Sequence, residues 1–186
     1  FRNWVLHLNN PYRTSIKNNH FVNDTNRDLI PDGWVGVNLS TRTDRLVTTS
    51  PFDPNVFQIR GNGSAKNSAL VQTFAQDIRA GNAVEFGAYV NTLNGYNGGA
   101  SLRLVLNYRD GTREVKIIQM PTTPFDWQYF SQVYVLPKRL SSYTLRLVYA
   151  ANPSPSNAFV RFDQAFVRPI AYAGAGTGSG AMSQPV

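Results

Sequence analysis

Asn18-Asn19-His20-Phe21, continuing through Asp24-Thr25-Asn26-Arg27-Asp28-Leu29-Ile30-Pro31-Asp32-Gly33-Trp34, is the stretch that decides the fold. It reads as a short strand, an acidic loop, and a Pro-Asp-Gly turn that delivers Trp34 into a second strand. Far downstream, Ala158-Phe159-Val160-Arg161-Phe162-Asp163-Gln164-Ala165-Phe166-Val167 reads as a closing strand with an acid in its middle. Between these ends, short β-type segments alternate with Gly, Asn, Pro and Asp turns. Strands are predicted at Asn19–Asn23, Gly33–Asn38, Asn55–Arg60, Ala69–Phe74, Ala83–Asn91, Ala100–Arg109, Arg113–Met120, Gln128–Leu136, Ser142–Ala150 and Ala158–Arg168. Leu102, Leu104, Leu106 and Tyr108 share one face of their segment. Val84, Phe86, Ala88 and Val90 do the same, as do Leu145, Leu147 and Tyr149. A period of two marks a half-buried strand. Asp110-Gly111 makes a tight hairpin turn. No segment has helical periodicity, and Asp77–Gly81 is at most a turn. The expected fold is all-β: a two-sheet antiparallel sandwich or jelly roll.

Composition narrows the function classes. Of the 186 residues, 42% are hydrophobic, enough for a proper core. No run approaches the roughly 18 apolar residues of a membrane helix, so no membrane insertion is expected. With no cysteine, the chain has no disulfide, thiolate metal site or Cys nucleophile. The net charge of +7 comes from 18 basic and 11 acidic residues dispersed along strands and turns. Nucleic-acid binders cluster their charge, so no nucleic-acid partner is expected. Beginning at Phe1 without Met or a secretory signal, the chain reads as a mature or trimmed form.

Three regions are expected: an arm at 1–17, a β domain at 18–170 and a Gly-rich tail at 171–186. In the arm, Trp4, Leu6 and Leu8 alternate on one face of a strand-like run that Asn9-Asn10-Pro11 ends. An exposed apolar face of that kind seeks a partner, and other copies of this chain are the expected one. The tail, with Gly174, Gly176, Gly178 and Gly180, has a linker composition and cannot form a core.

The markers at the two ends, with Gln72 in Leu70-Val71-Gln72-Thr73-Phe74, Ala80-Gly81 before the long strand, and Trp127 before a later one, resemble the carbohydrate-binding modules with a galactose-binding-like β jelly roll. The resemblance runs from about Asn18 to Arg168. It implies a rigid β-scaffold that binds or assembles. It also implies a structural calcium, but two departures stand against that ion: Val22 replaces an acid after the opening Phe, and Asp163-Gln164 replaces two acids in the closing strand.

Two candidate sites follow. Asp24, Asn26, Asp28, Ile30 and Asp32 space their oxygens like a calcium loop, with the Ile30 carbonyl at the seventh position. Leu29 replaces the usual glycine and Val35 the bidentate acid, so the competing reading is an Asx-rich turn that bonds its own backbone. No cofactor is expected, calcium being the one ion this loop could hold. A glycan face would draw on side chains opposite the core-facing sets: Glu85, Tyr89 and Asn91; Arg103 and Asn107; Arg146; then Arg161 and Asp163. If their strands neighbour one another, they make one polar, Arg-rich face with a single aromatic, suited to polysaccharide or to a wet protein interface. Neither His7 nor His20 sits in a nucleophile motif, Glu85 and Glu114 are the only glutamates, and no enzyme activity is expected. The main reading is a non-catalytic structural subunit of an extracellular or cell-surface assembly. A glycan-binding module of a secreted enzyme or adhesin is the alternative, and a virion decoration or fibre protein a further one.

Overall fold

Alternate side chains of a strand reach opposite faces, so the period-two runs must each cover something with one face and meet solvent with the other. In the computed structural model, which describes residues 15–48, 55–60, 66–92, 96, 98–150 and 158–170, they form ten strands and no helix. These are β1 Val35–Val37, β2 Arg45–Val47, β3 Val56–Arg60, β4 Ser68–Ile78, β5 Ala83–Asn91, β6 Ala100–Tyr108, β7 Arg113–Gln119, β8 Gln128–Val135, β9 Leu140–Tyr149 and β10 Phe159–Ile170. All pairings are antiparallel. They build two five-stranded sheets, ordered β1-β4-β9-β6-β7 and β2-β3-β10-β5-β8. The all-β two-sheet jelly roll therefore stands. Trp4, Leu6 and Leu8, and the Gly-rich tail, lie outside the described residues.

The core is the layer between the sheets. Leu102, Leu104 and Leu106 of β6, Tyr143, Leu145 and Leu147 of β9, and Val84, Phe86, Ala88 and Val90 of β5 are all fully buried. Each large apolar side chain so placed contributes about 1.5–3 kcal/mol relative to exposure. Gly87 is the tight point of β5. A Cβ there would stand 2.3 Å from the Phe130 carbonyl oxygen and 2.8 Å from the Phe166 ring.

Three segments differ from expectation. Asn19–Asn23 is a turn, not a strand. Asn18 (φ 49°) and Phe21 (φ 55°) are left-handed, and the Asn18 amide bonds both the Asn23 carbonyl, at 2.7 Å, and the Asn23 N–H, at 3.1 Å. An Asx side chain has replaced the ladder. The segment still lies against the closing strand, because Ala165 N–H donates to the Asn19 carbonyl and Ser15 N–H to the Val167 carbonyl. It is also fastened to the other sheet, where buried Gln72 accepts from Lys17 N–H at 2.7 Å and donates to the Lys17 carbonyl at 3.1 Å. Second, β4 runs past Phe74 to Ile78 through a register shift, so the expected turn from Asp77 begins at Arg79. Third, β2 has no counterpart among the expected strands. Fully buried Asp44 sets it up by accepting from the N–H groups of Ser40 and Arg60. Burial raises the Asp44 pKa, and those backbone donors oppose the rise.

Candidate functional site

Strand parity decides which side chains leave the core, and sheet membership decides which of them meet. On the outer face of β1-β4-β9-β6-β7, β6 directs Ser101, Arg103, Val105 and Asn107 away from the core and β9 Ser142, Thr144, Arg146 and Val148, of which Ser101, Val105 and Val148 are nonetheless buried. Arg103 and Arg146 sit directly opposite one another in the register. Arg103 Nε donates to Ser101 Oγ at 3.1 Å. Arg146 Nε is buried and meets no protein acceptor among the described residues. Asn107 Nδ2 donates to Ser142 Oγ, and the Thr73 and Thr144 hydroxyls touch at 2.9 Å. Val115 and Ile117 of β7 and Val35 of β1 add exposed aliphatic surface. The strands of this face point no aromatic ring outward.

Charge on the face is one-sided. Asp77, at the sheet's end, is held by both Arg139 and Arg109. The Arg139 guanidinium, then that of Arg109, draws the Asp77 carboxyl down to about 2. Neither Arg103 nor Arg146 forms an ion pair among the described residues. Like charges directly opposite across a strand pair repel. Arg103 Nε is taken by Ser101 and Arg146 Nε is buried, so it is the terminal nitrogens of the two guanidiniums that could meet an oxygen ligand carried by another molecule.

The expected single glycan face divides in two. Glu85, Tyr89 and Asn91 belong to β5, in the other sheet, and face the opposite side of the sandwich from Arg103, Asn107 and Arg146. Arg161 and Asp163 lie with them on β10. Moreover Glu85 is 7% exposed, Asn91 2% and Asp163 0%. Glu85 is ion-paired with Arg168, Asn91 donates to Asp126 at 2.8 Å, and Arg161 Nε donates to Gln58. Tyr89 packs on Tyr129 at 5.1 Å, and Tyr129 stacks on Phe166 at 5.9 Å. Burial pushes the Tyr129 hydroxyl up to about 12. On that face Glu85, Asn91 and Arg161 are thus taken up by Arg168, Asp126 and Gln58.

In the acidic loop the oxygens point at the chain's own amides. Asp24 accepts from Asp28 and Leu29 N–H, Asp28 from Ile30 N–H, Asn26 from Asp28 N–H, and Asp32 from Thr25 N–H. Arg27 and Leu29 take left-handed φ values of 57° and 70°, which this net of Asx bonds maintains. No group of three or more His, Cys, Asp or Glu side chains converges as a metal site among the described residues.

Glu114 closes the edge where the sheets meet. It accepts from Tyr108 and Tyr134 hydroxyls, each at 2.7 Å, and from Lys116 Nζ, while the Lys116 ammonium rides 3.8 Å above the Tyr134 ring. Lys116, then the two hydroxyls, hold the Glu114 carboxyl at about 2. A carboxylate so low and so fully bonded is a fastening, not a proton donor near neutral pH.

No protein-family model and no curated protein matches the chain. Solved structures do. The Family 16 Carbohydrate Binding Module-2 matches at 18% identity and TM-score 0.55, covering 80% of this chain and 99% of that one. The CBM22-1 xylan-binding domain from Paenibacillus barcinonensis Xyn10C matches at 14% and 0.56, covering 77% and 90%. The enzymatically active domain of bacteriophage CBA120 tailspike protein 4 matches at 12% and 0.60, covering 84% of this chain but 21% of its own length. The chain thus has the two-sheet jelly-roll fold of the carbohydrate-binding modules. No helix among the described residues is long and apolar enough to cross a membrane.

Sequence reasoning missed Thr73, Thr144 and Ser142 as members of the Arg103–Arg146 face. Their signal was the alternation with Gln72 and Leu145, which puts each hydroxyl residue outside once β4 and β9 are known to pair.

Proposed function

We propose that this chain is a non-catalytic polysaccharide-binding module, with its ligand laid across the outer face of β1-β4-β9-β6-β7. One observation carries the reading: Arg103 and Arg146 stand opposed on the central strand β9 and its neighbour β6 without an acid partner among the described residues. The jelly-roll fold supports it, since the named modules bind glycans on this scaffold. Asn107, Ser142, Thr73 and Thr144 provide the donors and acceptors that sugar hydroxyls need. Such a module works outside the cell or at its surface, where polysaccharides lie. A role as a self-assembling structural subunit rests on Trp4, Leu6 and Leu8, outside the described residues, and takes second place.

Affinity electrophoresis against soluble polysaccharides tests the proposal. At least one polysaccharide is expected to retard the chain. Arg103→Ala/Arg146→Ala should lose that retardation, while Gln58→Ala, on the opposite sheet, keeps it. Retardation by none, or loss on Gln58→Ala with the arginine pair dispensable, would overturn it.

A further inference from the structure

We infer that the polysaccharide this face takes is anionic, carrying carboxylate or sulfate groups along its chain; the inference rests on the polysaccharide-binding reading and names its ligand class. Neutral sugars are gripped chiefly by flat rings, and the strands of this face offer none. What they offer is cationic. Arg103 and Arg146 are opposed in register, so their guanidinium groups spring from adjacent strands about 5 Å apart. The remaining charged groups continue the trend. Exposed Arg113 opposes Asn107 across the β6–β7 pair. Among the described residues these strands turn one acid outward, Asp77, and it is already shared by Arg109 and Arg139.

A pair of like charges held together in a fold loses stability unless an opposite charge comes between them. Arg146 is partly exposed while its Nε–H is shielded from water without an acceptor among the described residues, so an incoming oxygen would be met by its terminal nitrogens. A planar carboxylate fits the fork of one guanidinium in a bidentate pair and leaves an oxygen edge for the second; a sulfate ester presents the same kind of oxygens. The flanking hydroxyls at Thr73, Thr144 and Ser142, and the aliphatic Val35, Val115 and Ile117, suit the uncharged part of a sugar ring between charged groups. Single-stranded nucleic acid, the other abundant polyanion, is held by aromatic stacking together with cations, and the stacking half is missing here.

The test compares polymers that differ only in charge. Polygalacturonate and its fully methyl-esterified form share a backbone, as do a sulfated galactan and its desulfated parent. Binding of the full chain to each is measured by isothermal titration, with a neutral xylan and a single-stranded oligonucleotide alongside. The acidic member of at least one pair should bind more tightly than its neutral twin by about tenfold or more, the range of a charge-assisted hydrogen bond. Which pair responds identifies carboxylate or sulfate. Affinity should fall as salt rises from about 0.05 to 0.5 M. Arg146→Gln and Arg103→Gln should each lose most of the difference, and Arg103→Lys should recover part of it, with near-UV circular dichroism unchanged. Equal binding of charged and neutral twins, or binding of xylan alone, would overturn the anionic inference and leave the polysaccharide reading standing. No binding to any polysaccharide would overturn both. Tighter binding of the oligonucleotide than of any glycan would overturn the choice of partner.

Discussion

Replacing Arg146 by methionine should make the protein more stable while weakening its hold on ligand. The buried Nε donor has no acceptor among the described residues, and a donor left in that state costs about 1–3 kcal/mol. The opposed Arg103 adds a repulsion of about 0.2–1 kcal/mol. Methionine keeps an unbranched apolar stem of similar reach, so the packing that the arginine's methylenes provide is largely retained. Taking the low end, because Arg146 as a whole is only partly buried, the gain is about 1–2 kcal/mol. For a domain of this size each kcal/mol moves the midpoint by about 2–4 °C, so Tm should rise by about 2–8 °C. Thermal melts followed by circular dichroism, with urea titrations at constant m, measure it. Arg146→Lys separates the two terms, since it keeps the charge and removes the buried Nε. A lower Tm for Arg146→Met would mean that the guanidinium is held by an acceptor, and would refute the reasoning.

Four other expectations are open to direct measurement. Gly87→Ala should destabilise by about 1–3 kcal/mol, because the new methyl meets the Phe130 carbonyl and the Phe166 ring; an unchanged urea midpoint would contradict it. Glu114 has a folded pKa of about 2, below its ordinary 4.5, so it stabilises the fold above about pH 4.5 and that contribution is lost as pH falls toward 2. Glu114→Gln should therefore lower Tm at pH 7 and flatten its fall between those limits, whereas parallel profiles would argue against the role. Calcium should shift Tm little, because Leu29 and Val35 replace the loop's glycine and bidentate acid and its oxygens already serve backbone amides; a large rise abolished by Asp28→Ala would reverse this. Deleting residues 1–12 should lower the mass seen by light scattering if Trp4, Leu6 and Leu8 join copies, and an unchanged mass removes the arm as the joint.

How much could be read from residues alone follows from what each pattern encodes. Alternation is a statement about inside and outside, and there it served well: Ala83–Asn91 forms a strand with the expected bounds, and Leu102, Leu104 and Leu106 point inward as read. Alternation says nothing about which sheet a strand joins. That is why Glu85, Tyr89 and Asn91 were grouped with Arg103, Asn107 and Arg146, from which the sandwich separates them. The opening segment was read as extended from Asn19 and Phe21 as markers of an opening strand, yet a side-chain amide at Asn18 competes with the ladder and wins. Strand β2 was illegible because its organiser, Asp44, is a buried acid in a loop, a residue type normally left outside. The oxygens of the acidic loop were visible in their spacing, but their direction is a three-dimensional property.

The hydrogen bond from Ser15 N–H to the Val167 carbonyl brings the start and the finish of the described fold side by side. Whatever chain continues from either place leaves from the same corner. Tension applied between Ser15 and Ile170 would fall first on that corner, on the Ser15–Val167 bond and the Ile170–Ala83 pairing, before it reached the other sheet. The Arg103–Arg146 face could keep its shape while the chain around it is stretched.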